Sequence, residues 1–264
     1  MKQDERAPFL RALQRARVSA YPPGGFVEQE SFMHAGEILA LARQAGIGPG
    51  ASVLDLCCGV AGPGRFITQE LGCTLFGVDY SASAVDIARQ RAGDLPCRFE
   101  VARIPPVPPG PFDAVLLLET MLAFPQKEPL LQGISRALTT GGRLAFTLEE
   151  GLPLTDAERQ TMPDGDTVWL TPLHEMLGSL DRAGLVVRWQ EDCTQSHLSV
   201  AESLLDAFAA DAADIAPQIG GRALRELLSA HRLWSQWLRS GRVRKIAFVA
   251  ERSERSSADG LNQA

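Results

Sequence analysis

Five short apolar runs separated by helical sequence recur through the middle of the chain, and this alternation narrows the fold more than any other feature. Ser52–Leu56, Thr74–Asp79, Arg98–Val101, Asp113–Leu118 and Arg143–Leu148 have the length and aliphatic content of buried strands. Between them, 83–92 carries Val85, Ile87 and Ala88 on one side. A second stretch, 128–138, carries Leu130, Leu131, Ile134 and Leu138 at helical spacing, with Gly141-Gly142 as its expected stop. Strand and helix repeated in this order specify an α/β fold, a doubly wound and mostly parallel sheet with helices on both faces.

The ends of the chain depart from that rhythm. Residues 1–19 show helical spacing, which Tyr21-Pro22-Pro23-Gly24-Gly25 must break, and a helix is expected over Glu30–Ala45 before Gly46. Beyond the fifth strand a helix is expected over 173–183, a strand over 185–189 and a closing strand over 243–250. Between the last two lies mostly helical sequence with apolar faces at Leu204, Leu205 and Phe208, then at Leu224, Leu227, Leu228, His231, Trp234 and Leu238, separated by a break at 217–221. The expected organisation is a helical arm or lid at 1–34, a core at 35–194, a helical cap at 195–240, a final core strand at 241–253 and a flexible tail at 254–264, frayed from Arg252.

Composition excludes several classes. With 264 residues and 45% hydrophobic content the chain suits one large domain with insertions or one domain plus a small subdomain, and the single run of strands and helices favours the first. A net charge of −6, from 26 basic against 32 acidic residues, argues against a nucleic-acid partner; that only three of the basic residues are lysines (Lys2, Lys127, Lys245) carries no functional reading. No window has the ~18 uninterrupted apolar residues of a membrane span, and the first ten residues lack a signal peptide's apolar run, so no membrane partner and a cytoplasmic location are expected. Five cysteines without paired spacing read as reduced thiols.

The strongest motif is Val53-Leu54-Asp55-Leu56-Cys57-Cys58-Gly59-Val60-Ala61-Gly62-Pro63-Gly64. A strand running into a glycine-rich turn and a helix lets backbone N–H groups approach a ligand's polar atoms. The spacing G-x-x-G-x-G differs from the dinucleotide fingerprint and from the phosphate loop, and no Lys follows, so a nicotinamide oxidoreductase and a triphosphate site are both disfavoured. Cys57 and Cys58 could suggest metal ligands or a redox pair; small buried residues in a tight turn is the simpler reading, and no metal is expected.

With Asp79 closing the second strand in Phe76-Gly77-Val78-Asp79-Tyr80-Ser81, the sequence resembles a class I S-adenosylmethionine-dependent methyltransferase of the small-molecule type over roughly residues 35–190. The resemblance implies seven strands in the order 3-2-1-4-5-7-6, the last antiparallel, and S-adenosyl-L-methionine as cofactor. It implies further that Asp55, Cys57, Gly59 and Gly62 surround the methionine part and that Asp79, 20 residues beyond Gly59, accepts hydrogen bonds from the ribose hydroxyls. Tyr80 then covers the adenine, with Ala102 and Arg103 beside it. Cys57 and Ala61 replace two of the family's glycines, and Ala102-Arg103 stands where an acidic residue often binds the adenine amino group.

The remaining candidates each carry an alternative. Asp79 could be a helix N-cap, Asp55 a brace for the loop and Tyr80 a packing residue. Glu119 follows the fourth strand and either borders the cofactor and orients a substrate or is solvated; the chain lacks the N-P-P-Y and D-P-P-Y motifs of nucleobase and glutamine methylation. His231 is a general base in a lid or a core histidine held by a carbonyl. His174, His197 and His34 are weaker candidates, the last placed on the N-terminal helix. Tyr21 and Gln29 either close over the methionine end or form a packed hinge. Phe26, Phe32, Trp169, Trp234 and Trp237 suggest an aromatic cap over a small, partly apolar methyl acceptor, as in secondary metabolism. The alternative from another class is a protein that binds the cofactor without transferring its methyl, a cyclase or sensor.

Overall fold

The structure, a computed structural model, describes residues 7–163 and 165–253. The expectations for 1–6 and for the tail at 254–264 lie outside the described residues.

Seven strands form one sheet: β1 (Ser52–Leu56), β2 (Thr74–Asp79), β3 (Cys97–Val101), β4 (Phe112–Leu117), β5 (Leu138–Glu150), β6 (Leu185–Asp192) and β7 (Arg244–Arg252). The order is β3-β2-β1-β4-β5-β7-β6; β1 to β5 pair in parallel, and β7 runs antiparallel to both β5 and β6. This is the order and the antiparallel closing strand that the resemblance implied. Alternation along β1 divides the core: Leu54 and Leu56 face one side with Phe146 and Phe248, and Val53 faces the other with Leu116 and Val249.

The first side is covered by α5 (Lys127–Ala137) and α7 (Leu173–Arg182), through Leu130, Leu131, Ile134, Met176 and Leu180. The other is covered by α2 (Ala35–Gln44), α3 (Gly62–Leu71) and α4 (Ala82–Ala92), through Ile38, Leu41, Ile67, Val85 and Ala88. A short α6 spans Asp156–Thr161. A third apolar cluster joins α1 (Ala7–Ala20) to α8 (Thr194–Ala210), α9 (Ala212–Ile219) and α10 (Gly221–Ser240), with Ala16, Leu204, Phe208, Ile215, Leu224 and Trp237 inside it.

Several boundaries differ from expectation. The helix expected from Glu30 begins at Ala35, because His34 caps it: His34 Nδ1 accepts from the Gly36 and Glu37 N–H groups, and Glu37 Oε2 accepts from His34 N at 3.0 Å. His34 is thus a cap and not a helical residue. α5 ends at Ala137 rather than at Gly141-Gly142. Leu138 already pairs with Phe112, and the register shifts before Ala114 meets Arg143, so the positive φ of Gly141 (75°) serves that irregularity. β6 continues past Trp189 to Asp192, paired with Ile246. The inserted segment forms three helices, because Pro217 is accommodated inside α9 and Gly220 makes the break. Arg252 is not frayed: it ends β7, and its guanidinium donates to the Leu138 carbonyl.

Candidate functional site

The loop after β1 is built from left-handed residues. Cys57 (φ 59°), Gly59 (φ 55°) and Ala61 (φ 57°) turn the chain into α3, which starts at Gly62-Pro63. Two are not glycine, and the turn is held by hydrogen bonds from Cys58 N to Val78 O (3.0 Å) and from Ala61 N to Cys58 O (2.8 Å). The glycines divide the work. A Cβ on Gly62 would collide with the Val27 carbonyl, and one on Gly64 would lie 2.6 Å from Asp55 Oδ2, so both permit close packing. A Cβ on Gly59 would meet nothing, since its backbone borders an open cleft.

That cleft, about 900 Å³, lies at the carboxyl ends of β1, β2 and β4. Asp79 anchors its floor: Oδ2 accepts from Gly59 N at 2.9 Å and Oδ1 from Ser81 N at 2.8 Å. Asp79 does not cap α4, because the Ser81 hydroxyl does so by accepting from Ala84 N. Each Asp79 oxygen keeps acceptor capacity beyond its single N–H partner. Asp55 is buried beside it, and burial, reinforced by the Asp79 charge, pushes its carboxyl up to about 7. Burial, then Asp79 and Asp55, raises the Cys57 thiol to about 12, which leaves it protonated and inert at neutral pH. Tyr80 is 69% exposed at the cleft mouth, with the Arg103 guanidinium 5.9 Å from its ring centroid. Ala102 also lines the cleft, while its N–H is used in a bond to Asp79 O (2.9 Å).

A second cavity of about 310 Å³ lies between the sheet and the cap, and Gln29, Glu30, Ser31 and Glu119 border both spaces. Its walls are Phe32, Leu122, Leu204, Phe208, Leu227 and Trp234; its polar end is a buried charge cluster. Lys245 lies opposite Glu149 in the β5–β7 register, and its Nζ donates to Glu149 Oε1 at 2.5 Å and to Glu119 Oε2 at 2.7 Å. Burial alone would raise the Glu119 carboxyl, but Lys245 and then His197 outweigh it and hold it below its ordinary value. Glu149 is raised by burial, against the pull of Lys245, and Lys245 is raised because the two carboxylates outweigh its burial. The cluster therefore holds an ammonium and an anionic Glu119 at the junction of the two cavities. Glu119, with φ 54°, turns sharply off β4, and its N–H donates to Thr147 Oγ1 at 2.6 Å.

His231 on α10 reaches the same cavity. Its Nδ1 lies 2.9 Å from Leu227 O, which can only accept, so Nδ1 carries the hydrogen and Nε2 keeps its lone pair. Burial lowers its pKa, countered in part by that carbonyl bond, and Arg17 adds to the lowering. The ring meets Phe32 and Phe208 edge-on.

Comparison with known proteins agrees with this geometry. Residues 53–142 match the family model of a methyltransferase domain. The methyltransferase GfsG of Streptomyces halstedii is 30% identical over 112 residues, 40% of this chain and 40% of that protein. The chain thus spans well under two thirds of that curated relative. Haemonchus contortus phosphoethanolamine N-methyltransferase 2, solved with phosphomonomethylethanolamine and S-adenosylhomocysteine, superposes with TM-score 0.76 at 19% identity over 91% of this chain and 57% of that one. The [4+2]-cyclase SpnF superposes with TM-score 0.72 at 18% identity over 94% of this chain and 95% of that one. Residues 53–142 thus match a methyltransferase domain, and the sheet around them has the fold of the S-adenosylmethionine-dependent methyltransferases it superposes on.

Around this domain the other expected residues are dispersed. Gly62 packs against the 27–28 backbone. Gln29 borders the cleft, but its amide donates to Gly25 O and Met33 O and accepts from Val27 N, so its polar atoms fix the loop. Tyr21 lines the second cavity rather than the cleft, and its hydroxyl donates to Ser31 O. His174 lies on α7, away from both spaces, and Trp169 stacks under Arg159 outside the cavity. Phe26 packs on Tyr21, and Trp237 is buried edge-on to Trp234. Lys245 and Glu149 escaped sequence reasoning, although a lysine inside an apolar strand of a chain with three lysines was a legible signal.

Proposed function

We propose that the chain transfers the methyl group of S-adenosylmethionine to a small, partly apolar acceptor held in the 310 Å³ cavity. The observation that carries this reading is the meeting of two spaces at Glu119: a cleft bordered by the glycine loop and Asp79, and an apolar cavity under the cap. The residues fit the cofactor. The open backbone at Gly59 admits its methionine part, the unused lone pairs of Asp79 suit ribose hydroxyls, and Tyr80, Ala102 and Arg103 flank space for the adenine. When bound, the cofactor supplies a methyl already activated on a sulfonium.

What is left to the protein is alignment and exclusion of water. The aromatic and aliphatic walls orient the acceptor's apolar body. His231 Nε2, with its lone pair free, would take the acceptor's proton where the nucleophile arrives protonated. The described residues 7–34 and 195–240 together act as the cap over this cavity, on a core made of 35–194 and 241–253. An acceptor from secondary metabolism suits the size and apolarity of the cavity, and five unpaired thiols suit a cytoplasmic setting. No helix of the described residues is long and apolar enough to cross a membrane.

The test is incubation with isotopically methyl-labelled cofactor and a panel of hydroxylated and amino-bearing apolar compounds, following S-adenosylhomocysteine and labelled product by mass spectrometry. Labelled product with stoichiometric S-adenosylhomocysteine supports transfer. Tight cofactor binding with conversion of an acceptor and no methyl loss would move the chain to the cyclase reading.

A further inference from the structure

We propose that Glu37, Cys193 and His197 form a binding site for a divalent transition metal, zinc by its ligand chemistry, where the cap joins the core. The site is separate from the cofactor cleft and does not depend on the transfer reaction proposed above.

Cys193 immediately precedes α8, and His197 follows one turn later, so their side chains share one face of its first turn. Glu37 comes from the first turn of α2 on the core side. One ligand atom from each lies within 4.8 Å of the other two. Thiolate, imidazole and carboxylate are the three donor types that zinc accepts, and metal–ligand distances of about 2.0 to 2.3 Å require only a modest contraction of this group.

The second observation is the state of His197. It is 0% exposed, and neither ring nitrogen has a hydrogen-bond partner, although a buried imidazole left unpaired is costly. Its Nε2 lies 3.7 Å from Glu37 Oε2, and its Nδ1 lies 3.6 Å from Glu119 Oε1, which is itself without a partner. A metal on Nε2 with Nδ1–H directed at Glu119 gives both nitrogens and that oxygen a partner at once. This is the carboxylate–histidine–metal relay by which ligating imidazoles are usually oriented. The dication also balances the charges of Glu37 and a Cys193 thiolate. Its coordination is completed by water or by the second oxygen of Glu37. Bound metal would then tie the root of the cap to α2 and orient Glu119 at the junction of the two cavities.

The test uses the full chain stripped with a chelator. Zn²⁺ is titrated in competition with a chromogenic chelator, and Co²⁺ is added separately as a spectroscopic probe. The expected result is one Zn²⁺ per chain, a Co²⁺ spectrum with tetrahedral bands and a thiolate-to-cobalt charge-transfer band, and a rise in Tm on Zn²⁺ addition. Cys193→Ser is expected to abolish the charge-transfer band and weaken Zn²⁺ at least tenfold with unchanged circular dichroism, and His197→Gln to weaken it as much. Absence of stoichiometric binding or of the thiolate band in the wild-type chain overturns the proposal whether or not the variants fold. Equal affinity in the Cys193→Ser chain overturns it as well, marking an adventitious ion only.

Discussion

Asp79 joins two tasks in one carboxylate, since it holds the backbone of Gly59 and Ser81 and presents its remaining lone pairs to the cleft. Asp79→Ala is expected to weaken S-adenosylmethionine at least tenfold, about 1.4 kcal/mol, by calorimetry. His231 offers a pH test. Its pKa lies below the ordinary 6.5, so the neutral base is the populated form at pH 7 and is lost only as pH falls through that lowered value. Turnover should fall on an acidic limb below pH 6.5, and His231→Gln should lower kcat and remove that limb while leaving cofactor affinity unchanged; an unaltered pH–rate profile would assign the residue to packing. Lys245→Met leaves Glu119 and Glu149 buried without their cation and is expected to cost about 3 to 5 kcal/mol in urea unfolding. Asp79 and Glu119 stood out in the sequence because strand ends border the crevice of a parallel sheet, and both line the cleft. The partnership of Lys245 with Glu119 was not legible, because 126 residues separate them and only the β4-β5-β7 order brings them together.

At the scale of elements, the loop at 25–29 meets α3 where Gly62 has no side chain. Gly62→Ala forces a methyl into the Val27 carbonyl, and displacement of one backbone by the other is expected to cost about 1 to 3 kcal/mol, read as a lower urea midpoint. An unchanged midpoint would mean that the loop yields freely. Apolar periodicity located the core strands and helices well, since each buries a continuous face. It failed at boundaries set by single hydrogen-bonding groups. The His34–Glu37 capping box starts α2 later than its apolar spacing suggests, and the Phe112–Leu138 pairing stops α5 before its glycines. Neither signal is periodic, so neither stands out in a hydrophobic pattern.

At the scale of the molecule, the sheet supplies a rigid set of strand ends and the cap supplies a separate apolar cluster that closes over them. Strand order followed from the family resemblance, and a mixed cap of 1–34 with 195–240 over the strand ends was expected; the packing of α1 and α8 to α10 into one apolar cluster was not, because these helices meet across most of the chain's length. Phe208 is buried in that cluster and also walls the cavity. Phe208→Ala is expected to cost about 3 to 5 kcal/mol by the same unfolding measurement and to weaken acceptor selectivity more than cofactor binding. Whether the cleft beside Gly59 and Asp79 is a cofactor site is decided by calorimetric titration with S-adenosylhomocysteine, with NAD as the control. One site per chain is expected for S-adenosylhomocysteine and none for NAD, with at least tenfold loss in a folded Asp79→Ala chain. Absence of S-adenosylhomocysteine binding, or equal affinity in the variant, would contradict that assignment.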